Sequence, residues 1–384
     1  MDGSYSRHSG YFDENATATP LIEAAQAAAA WLSGPPSNPS SVHQLGRRAR
    51  GAVELSRRQV AESLGVNPRH ITFTSSATEA LHTLIGGLIS PRDHVIVSAV
   101  EHSAVWGALR QSKASIDVVP VDSCGRVDPA EFSRRAQPST KLAVMMAAQN
   151  ELGVIYPTKE IATALGGVPL LVDAVQAFGK VPLDLNETGA QFSVVSGHKI
   201  GAPLGSAAIW SSGGQAFHPL LGGGAQERGR RAGTENVPSI VGFGVAASCI
   251  TARLTQMQIL KELRDKLRER LLRVEGVSQL GAWLDEDQSN GEASWTRHAQ
   301  LPNTLYIQMA RHEGDLILQH LDLQGFCLST GAACSSGALE PSPVLLALGL
   351  KEEEAKRGLR ISMGPEKTHE DIDQLIDVLL PLIS

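Results

Sequence analysis

The chain of 384 residues is poor in cysteine and has no block of like charge. Its four cysteines, Cys124, Cys249, Cys327 and Cys334, show no paired spacing, so neither a disulfide framework nor a metal site is indicated. A formal net charge of −6 without a charge block argues against a nucleic-acid partner. The N-terminus lacks the apolar core of a signal peptide, and no apolar run is long enough to span a membrane. We therefore expect a soluble, cytoplasmic protein.

The composition, with 42% hydrophobic and 19% charged residues, is that of a globular chain large enough for two domains. Short apolar strands alternate with amphipathic helices between about residues 70 and 210, which predicts an α/β fold with a largely parallel sheet covered on both faces. A long helical stretch follows from Ser248 to Val274, and the remainder indicates a smaller α+β unit. We expect a large domain over residues 15–261 and a small domain over 262–384 together with 1–14. The predicted strands of the large domain are Ile71–Phe73, His94–Ser98, Lys141–Ala147, Leu170–Val172, Phe192–Val195 and Ser206–Trp210.

Polar residues follow several of these predicted strands. Asn150 comes after one strand, Asp173 to Gln176 after another, and Ser196 to Lys199 after a third. In open α/β sheets, ligands bind beyond the carboxyl ends of the strands, so these side chains should converge.

Lys199 and Asp173 form the most informative pair in the chain. A lysine in an apolar pocket can form a Schiff base, and a carboxylate can keep the nitrogen of a pyridine ring protonated. Each residue alone also has an ordinary interpretation. Lys199, flanked by glycine-rich turns, could be a surface residue, and Asp173 could be a helix N-cap.

Thr74-Ser75-Ser76-Ala77-Thr78-Glu79 leads from a strand into a helix, with Ser76 and Glu79 at the spacing of a capping box. Free N–H groups and hydroxyls at such a helix start can hold a phosphate, although a simple capped helix is the alternative. His102 could stack on a pyridine ring and exchange protons, or be structural. Arg360 could bind a carboxylate, or lie on a solvated strand face.

Two loops complete the pattern. The first, Gly222 to Asn236, is rich in glycine and arginine, and either binds an anion or is a flexible surface loop. The second, Ser329 to Ala338, is a run of small residues around Cys334, where an exposed thiol could enter a site and carry sulfur out again. The other three cysteines lie in ordinary surroundings and are expected to be buried filler.

Taken together, these motifs resemble the class V aminotransferase family, and within it the NifS- and IscS-like cysteine desulfurases of the long-loop group. The resemblance covers nearly the whole chain and is strongest in Ser196-Gly197-His198-Lys199, in Asp173-Ala174-Val175-Gln176 and in Ala333-Cys334-Ser335-Ser336. It implies a homodimer of the type I fold that uses pyridoxal 5'-phosphate.

The resemblance also implies a role for each matching residue. Lys199 would be the Schiff-base lysine, Cys334 the sulfur acceptor and His102 the stacking acid/base. The cofactor would be held by Asp173 at the ring nitrogen, by Gln176 at the ring oxygen, and at the phosphate by Thr78, Ser196 and His198, with Thr234 from the other subunit. Asn150 and Arg360 would bind the substrate carboxylate.

The chain departs from the family pattern at three places. Ser76 stands where glycine is usual, and Gln149 replaces the first of two asparagines. The segment from Asp13 to Pro20 carries a substitution and an extra residue, so no site residue is assigned there.

The resemblance implies desulfuration of L-cysteine to L-alanine, with a persulfide on Cys334 for an acceptor such as an iron–sulfur scaffold protein. Selenocysteine lyase and transaminase remain open as alternatives on the same scaffold. A catalytically silent dimeric scaffold for sulfur assembly is a third, although the intact lysine, aspartate and cysteine argue against it.

Overall fold

A computed structural model describes residues 9–281, 299–331 and 341–384 of the protein. Its larger sheet has seven strands in the order β1-β7-β6-β5-β4-β2-β3. Strand β7 runs antiparallel to the other six strands of that sheet. The strands are β1 (Ile71–Thr74), β2 (His94–Ser98), β3 (Ser115–Val119), β4 (Thr140–Met146), β5 (Leu170–Asp173), β6 (Phe192–Ser196) and β7 (Ala207–Ser211).

Helices cover both faces of this sheet, so its central strands are buried along their whole length and consist mainly of apolar residues. This confirms the predicted α/β class. The helices of this part are α1 (Ile22–Leu32), α2 (Gln44–Ser63), α3 (Ala77–Leu88), α4 (Ser103–Ser112), α5 (Pro129–Arg135), α6 (Thr158–Ala164) and α7 (Val237–Ser248).

A smaller antiparallel sheet of three strands, in the order β10-β9-β8, follows in the chain. Its apolar side chains share one buried cluster with Phe12, with residues from Met257 onward in α8, and with the last helix. Its elements are α8 (Ile250–Leu271), β8 (Val277–Leu280), β9 (Thr304–Met309), α9 (Gly314–Leu323), α10 (Pro343–Ala347), α11 (Glu352–Ala355), β10 (Gly358–Ser362) and α12 (His369–Ile383).

The N-terminal segment runs between the two sheets. Tyr11 forms a bridge with Cys327, and Asp13 forms one with Ser362 at the end of β10. Beyond them, Ala18 N donates to His198 O, next to the end of β6, at 2.9 Å. The segment between these contacts therefore lies where both parts of the molecule meet.

The long helix expected from Ser248 to Val274 is confirmed as α8, which spans Ile250–Leu271. Helix α7 ends at Ser248 and α8 begins at Ile250, with an angle of 61° between them. Ile250 packs into the core of the large sheet, whereas α8 from Met257 onward packs into the second cluster, so α8 joins the two cores. The domain boundary predicted at residue 262 falls inside α8 and stays a prediction.

The sequence missed β3 and β8, and its expectation for three cysteines is wrong. Strand β3 is half-exposed at the sheet edge, so it lacks the apolar run that marks its neighbours. Cys327 is exposed, and Cys124 and Cys249 are only partly buried.

Among the described residues, no single helix has the length and apolar composition to cross a bilayer. The bent pair α7–α8 meets both criteria only when its two helices are counted together.

Candidate active site

A cavity of about 210 Å³ opens at the carboxyl ends of the parallel strands. This position follows from the topology, since loops leaving neighbouring parallel strands meet at the same sheet edge. The residues with sequence-predicted roles that line it are Thr78, His102, Asn150, Asp173, Gln176, His198, Lys199 and Arg360. The fold thus gathers residues that are far apart in the sequence.

Lys199 lies in a short 3₁₀ turn, Gly197–Lys199, directly after β6. Its Nζ donates to the backbone carbonyl of Asn15 at 2.5 Å and to that of Ala16 at 2.7 Å. The side chain is partly buried and borders the cavity, so the alternative of a simple surface lysine is wrong.

Asp173 is the last residue of β5 and is only 6% exposed. Among the described residues its carboxylate receives one hydrogen bond, from the backbone N–H of Val175 at 3.0 Å, and forms no ion pair. Burial raises its pKa to about 6, against the opposing effects of that hydrogen bond and of the positive charge of Lys199. No helix begins here, so the N-cap alternative is wrong. A buried carboxylate with so few partners is suited to a cationic ligand.

Glu101 is a second buried carboxyl group, and the sequence analysis assigns it no role. One oxygen, Oε1, accepts from the Ser98 hydroxyl at 2.6 Å and from the Met146 N–H at 2.8 Å. The other oxygen, Oε2, is buried and has no hydrogen-bond partner among the described residues. Burial, with a contribution from the negative charge of Asp173, raises the pKa of Glu101 to about 8. Glu101 is therefore mainly protonated at neutral pH.

His102 lies at the start of α4, where its Nδ1 accepts from the backbone N–H of Ala104 at 3.1 Å. Burial and the positive charge of Lys199 lower its pKa to about 4. The imidazole is therefore neutral at pH 7, and its proton must lie on Nε2, because Nδ1 is the acceptor. His102 thus lines the cavity as a neutral ring.

The start of α3 forms the opposite end of the cavity. Ser76 caps the helix, since its hydroxyl accepts from Glu79 N at 3.1 Å, whereas the Glu79 carboxylate bonds the backbone N–H and hydroxyl of Ser75. Among the described residues, the backbone N–H groups of Ala77 and Thr78 have no acceptor. Two open N–H groups at the positive end of a helix dipole fit an anion.

The glycine-rich loop contacts the first turn of α3. Arg231 from the loop forms an ion pair with Glu79 at 2.8 Å, and its second nitrogen lies 3.2 Å from the same carboxylate. Thr234 is exposed and borders a different, smaller cavity, so it does not reach the main cavity of its own chain. Ser196 is buried at the end of β6 and is also absent from the lining of the main cavity.

His198 lines the cavity beside Lys199. Burial, together with the positive charges of Lys199 and Lys180, lowers its pKa to about 4. Its Nδ1 lies 3.3 Å from the hydroxyl of Thr17 in the N-terminal segment. A phosphate nearby would oppose this shift by favouring the imidazolium form.

Arg360 projects from β10 into the cavity and is 1% exposed, so the alternative of a solvated strand face is wrong. Its guanidinium donates to Asp13 Oδ1 at 2.6 Å and to the carbonyl of Asn150 at 3.1 Å. The Nε atom is buried without a hydrogen-bond partner among the described residues. An arginine that is held by a neighbouring carboxylate and still has one unsatisfied donor can bind a carboxylate ligand.

Asn15 connects these groups and was missed from the sequence. Its backbone carbonyl accepts from Lys199 Nζ at 2.5 Å and from Gln176 Nε2 at 2.9 Å. Its side-chain Nδ2 donates to the carbonyl of Asn150 at 3.0 Å and to Thr304 Oγ1 at 2.9 Å. The one signal for Asn15 is that its segment pairs with both parts of the molecule. Such pairing cannot be read from the spacing of residues along the sequence.

Cys334 lies outside the described residues. The described residues on either side of its loop are held in place, since Ser342 donates to Glu151 at 2.8 Å and Ser329 pairs with Arg360. The sequence-based role of Cys334 therefore stays a prediction.

The model of the class-V aminotransferase family matches residues 10–375 of the chain. A cysteine desulfurase of Nostoc is 38% identical over 97% of this chain and 92% of its own length. The cysteine desulfurase IscS of Methanosarcina thermophila is 36% identical over 97% of this chain and 91% of its own.

Solved structures show the same likeness. A NifS-like protein of Rickettsia africae superimposes with a TM-score of 0.83 and 31% identity, covering 97% of this chain and 98% of that one. Another NifS-like protein gives a TM-score of 0.86 with 29% identity, over 97% and 98% of the two chains. A third structure, of SspA in complex with cysteine, gives 0.77 with 27% identity, over 94% and 100%.

Proposed function

The chain belongs to the class-V aminotransferase family, and on this premise we propose that it is a pyridoxal phosphate-dependent cysteine desulfurase. It converts L-cysteine to L-alanine and transfers the sulfur to Cys334 as a persulfide, for the assembly of iron–sulfur clusters or of other sulfur-containing cofactors. The observation that carries this proposal is the buried, poorly partnered carboxylate of Asp173 in one cavity with Lys199.

The cavity fits the cofactor at both of its ends. Asp173 lacks an ion pair among the described residues, and a protonated pyridine nitrogen would supply one. At the other end, the open N–H groups of Ala77 and Thr78 fit a phosphate. Lys199 would hold the cofactor as a Schiff base, with Gln176 at the ring oxygen and the neutral ring of His102 stacked on its face. When bound, the cofactor supplies an electron-accepting ring.

Groups from several elements would hold the phosphate. Thr78 and His198 would do so from the cavity lining and Ser196 from the end of β6, whereas Thr234 would come from the second subunit of a homodimer. The position of Thr234, exposed and away from the main cavity of its own chain, agrees with a role across a subunit interface.

Substrate binding and proton transfer fall to separate residues. Arg360 binds the carboxylate of L-cysteine through its remaining donors, and Asn150 lies beside it. The Nζ of Lys199 takes the proton from the substrate Cα, since it is the amine held at the cavity wall. The low pKa of His102 keeps that ring neutral beside the lysine.

The sulfur step is an attack by the Cys334 thiolate on the sulfur of L-cysteine. The Cβ–S bond of the substrate breaks, an S–S bond to Cys334 forms, and the electron pair left on Cβ takes up a proton. The products are L-alanine and a persulfide on the enzyme, which an acceptor protein then discharges. We place this reaction in the cytoplasm.

The test is to incubate the purified protein with L-cysteine and a reductant while measuring alanine and sulfide together. Equal amounts of both products, without any keto acid, are expected. Alanine formation that requires a keto acid would instead support a transaminase, and strong preference for selenocysteine would support a lyase. A colourless protein that releases neither product would favour the silent scaffold.

A further inference from the structure

Lys180 is a buried lysine that the proposed mechanism does not use. It follows β5 by a series of tight turns and is only 1% exposed. Because an amine in the protein interior loses its hydration, its N–H groups need acceptors there. The acceptors it has are both side chains of the cofactor site.

The Nζ of Lys180 donates to Asn15 Oδ1 at 2.5 Å and to Gln176 Oε1 at a shorter distance. The orientation of both amides can be assigned from hydrogen bonds that do not involve Lys180. Asn15 Nδ2 faces the carbonyl of Asn150, and Gln176 Nε2 faces the carbonyl of Asn15. A backbone carbonyl only accepts hydrogen bonds, so the NH₂ group of each amide must face it and the oxygen must face Lys180.

The protonation state of Lys180 does not change this arrangement. Burial, then the positive charges of Lys199 and Arg253, lower its pKa well below the ordinary value, and Glu14 opposes the shift. Either the ammonium or the neutral amine still carries the two N–H groups that the two oxygens require.

We propose that Lys180 is a positioning residue, whose amine binds Gln176 Oε1 and thereby keeps Gln176 Nε2–H directed to the cavity as a donor to the cofactor. Without Lys180, the Gln176 amide keeps only its hydrogen bond to the carbonyl of Asn15 among the described residues, so its Nε2–H is held less firmly toward the cofactor. The inference rests on the proposed function, because it assumes that pyridoxal phosphate occupies this cavity.

The test is a double-mutant cycle on the full-length chain with Lys180→Met, Gln176→Leu and the two combined. The dissociation constant for added pyridoxal 5'-phosphate and the absorption maximum of the bound cofactor are measured. We expect Lys180→Met to weaken binding about tenfold, the effect of one good hydrogen bond. It should shift the absorption maximum in the same direction as Gln176→Leu, and the double variant should be no worse than Gln176→Leu alone. Lys159→Met, at an exposed lysine, is the matched control.

Two results would overturn the inference. One is an unchanged dissociation constant and absorption maximum in Lys180→Met. The other is a double variant whose loss of affinity equals the product of the losses in the two single variants, since that would mean the two residues act independently. If Lys180→Met does not fold, Lys180→Gln, which keeps an N–H donor, carries the same cycle and should lie between wild type and Gln176→Leu. Failure of the wild-type chain to bind pyridoxal 5'-phosphate would instead reject the proposed function.

Discussion

The two sides of the active-site cavity differ in how their buried polar groups are satisfied. On the side of the N-terminal segment, both ends of the Asn15 amide are bonded, and the same residue accepts Lys199 and Gln176 through its carbonyl. On the side of β5, Asp173 has one hydrogen bond among the described residues, and one oxygen of Glu101 has none. The polar groups of Asn15 are thus satisfied within the described residues, whereas those of Asp173 and Glu101 are satisfied only in part.

This difference indicates that the side of the N-terminal segment stabilises the fold, whereas the side of β5 is suited to binding a ligand. A satisfied buried network stabilises the fold and fixes the geometry of the residues in it. A buried carboxylate without a cation destabilises the fold, and it is retained where a ligand supplies the missing partner. Substitutions on the two sides should therefore change the free energy of unfolding with opposite signs.

The largest effect is expected for Lys199→Ala, which removes the amine between the two sides. The variant should lose the covalent cofactor adduct that borohydride reduction traps, and its turnover should fall below detection, because the proposed Schiff base and the proposed Cα base are both gone. Intact-mass measurement after reduction checks the adduct. Lys159→Ala, at an exposed position, should keep it. A reducible covalent cofactor in Lys199→Ala would mean that another lysine binds it.

Asp173→Asn is expected to reduce turnover while stabilising the protein. Turnover should fall roughly 10²–10³-fold, because the neutral amide cannot stabilise a protonated ring nitrogen. The cofactor-free variant should be more stable by roughly 1–3 kcal/mol, since a buried charge is removed. Steady-state alanine formation and urea unfolding at pH 7.5 measure the two effects.

The control for this variant is Asp128→Asn, at a partly exposed helix cap, which should not become more stable. Undiminished turnover in Asp173→Asn, or a less stable cofactor-free variant, would contradict the description of the β5 side.

Asn15→Ala should have the opposite effect on stability. It removes one hydrogen bond each from Lys180, Asn303 and Thr304 in the interior, which should destabilise the fold by roughly 2–4 kcal/mol in urea unfolding. Asn186→Ala, which removes an exposed asparagine bonded to one carbonyl, should lose less than about 1 kcal/mol. If Asn15→Ala and Asn186→Ala lost the same free energy of unfolding, the distinction between the two sides of the cavity would not hold.

A further effect concerns the pH dependence of stability. The pKa of Glu101 is raised to about 8, so the folded state binds more protons than the unfolded state between about pH 4.5 and 8, and stability falls as the pH rises. Glu101→Gln should remove this contribution, which is at most roughly 1.4 kcal/mol per pH unit. Urea unfolding at pH 5.5 and 8.5 in wild type and variant measures it. If the free energy of unfolding depends on pH in the same way in Glu101→Gln and in wild type, Glu101 is already ionised near pH 5.

Much of the fold and of the site follows from the sequence, and the reasons for the remainder are physical. The strands of the parallel sheet are buried on both faces and therefore form apolar runs, and the residues after them, such as Asp173 and Lys199, converge because the topology requires it. Asn15 and Lys180 were missed, because their roles depend on contacts that the folded chain makes between distant segments. Strand β3 was missed because its exposed edge carries no such apolar run.

The central claim is that this chain removes sulfur from L-cysteine and holds it on Cys334, and peptide mass spectrometry after a single turnover tests it most directly. The account predicts one added sulfur atom on the peptide that contains Cys334. In Cys334→Ser, cofactor binding should be intact, with almost no alanine or sulfide released. Full sulfide release by Cys334→Ser, or the added sulfur on Cys124, Cys249 or Cys327, would contradict it.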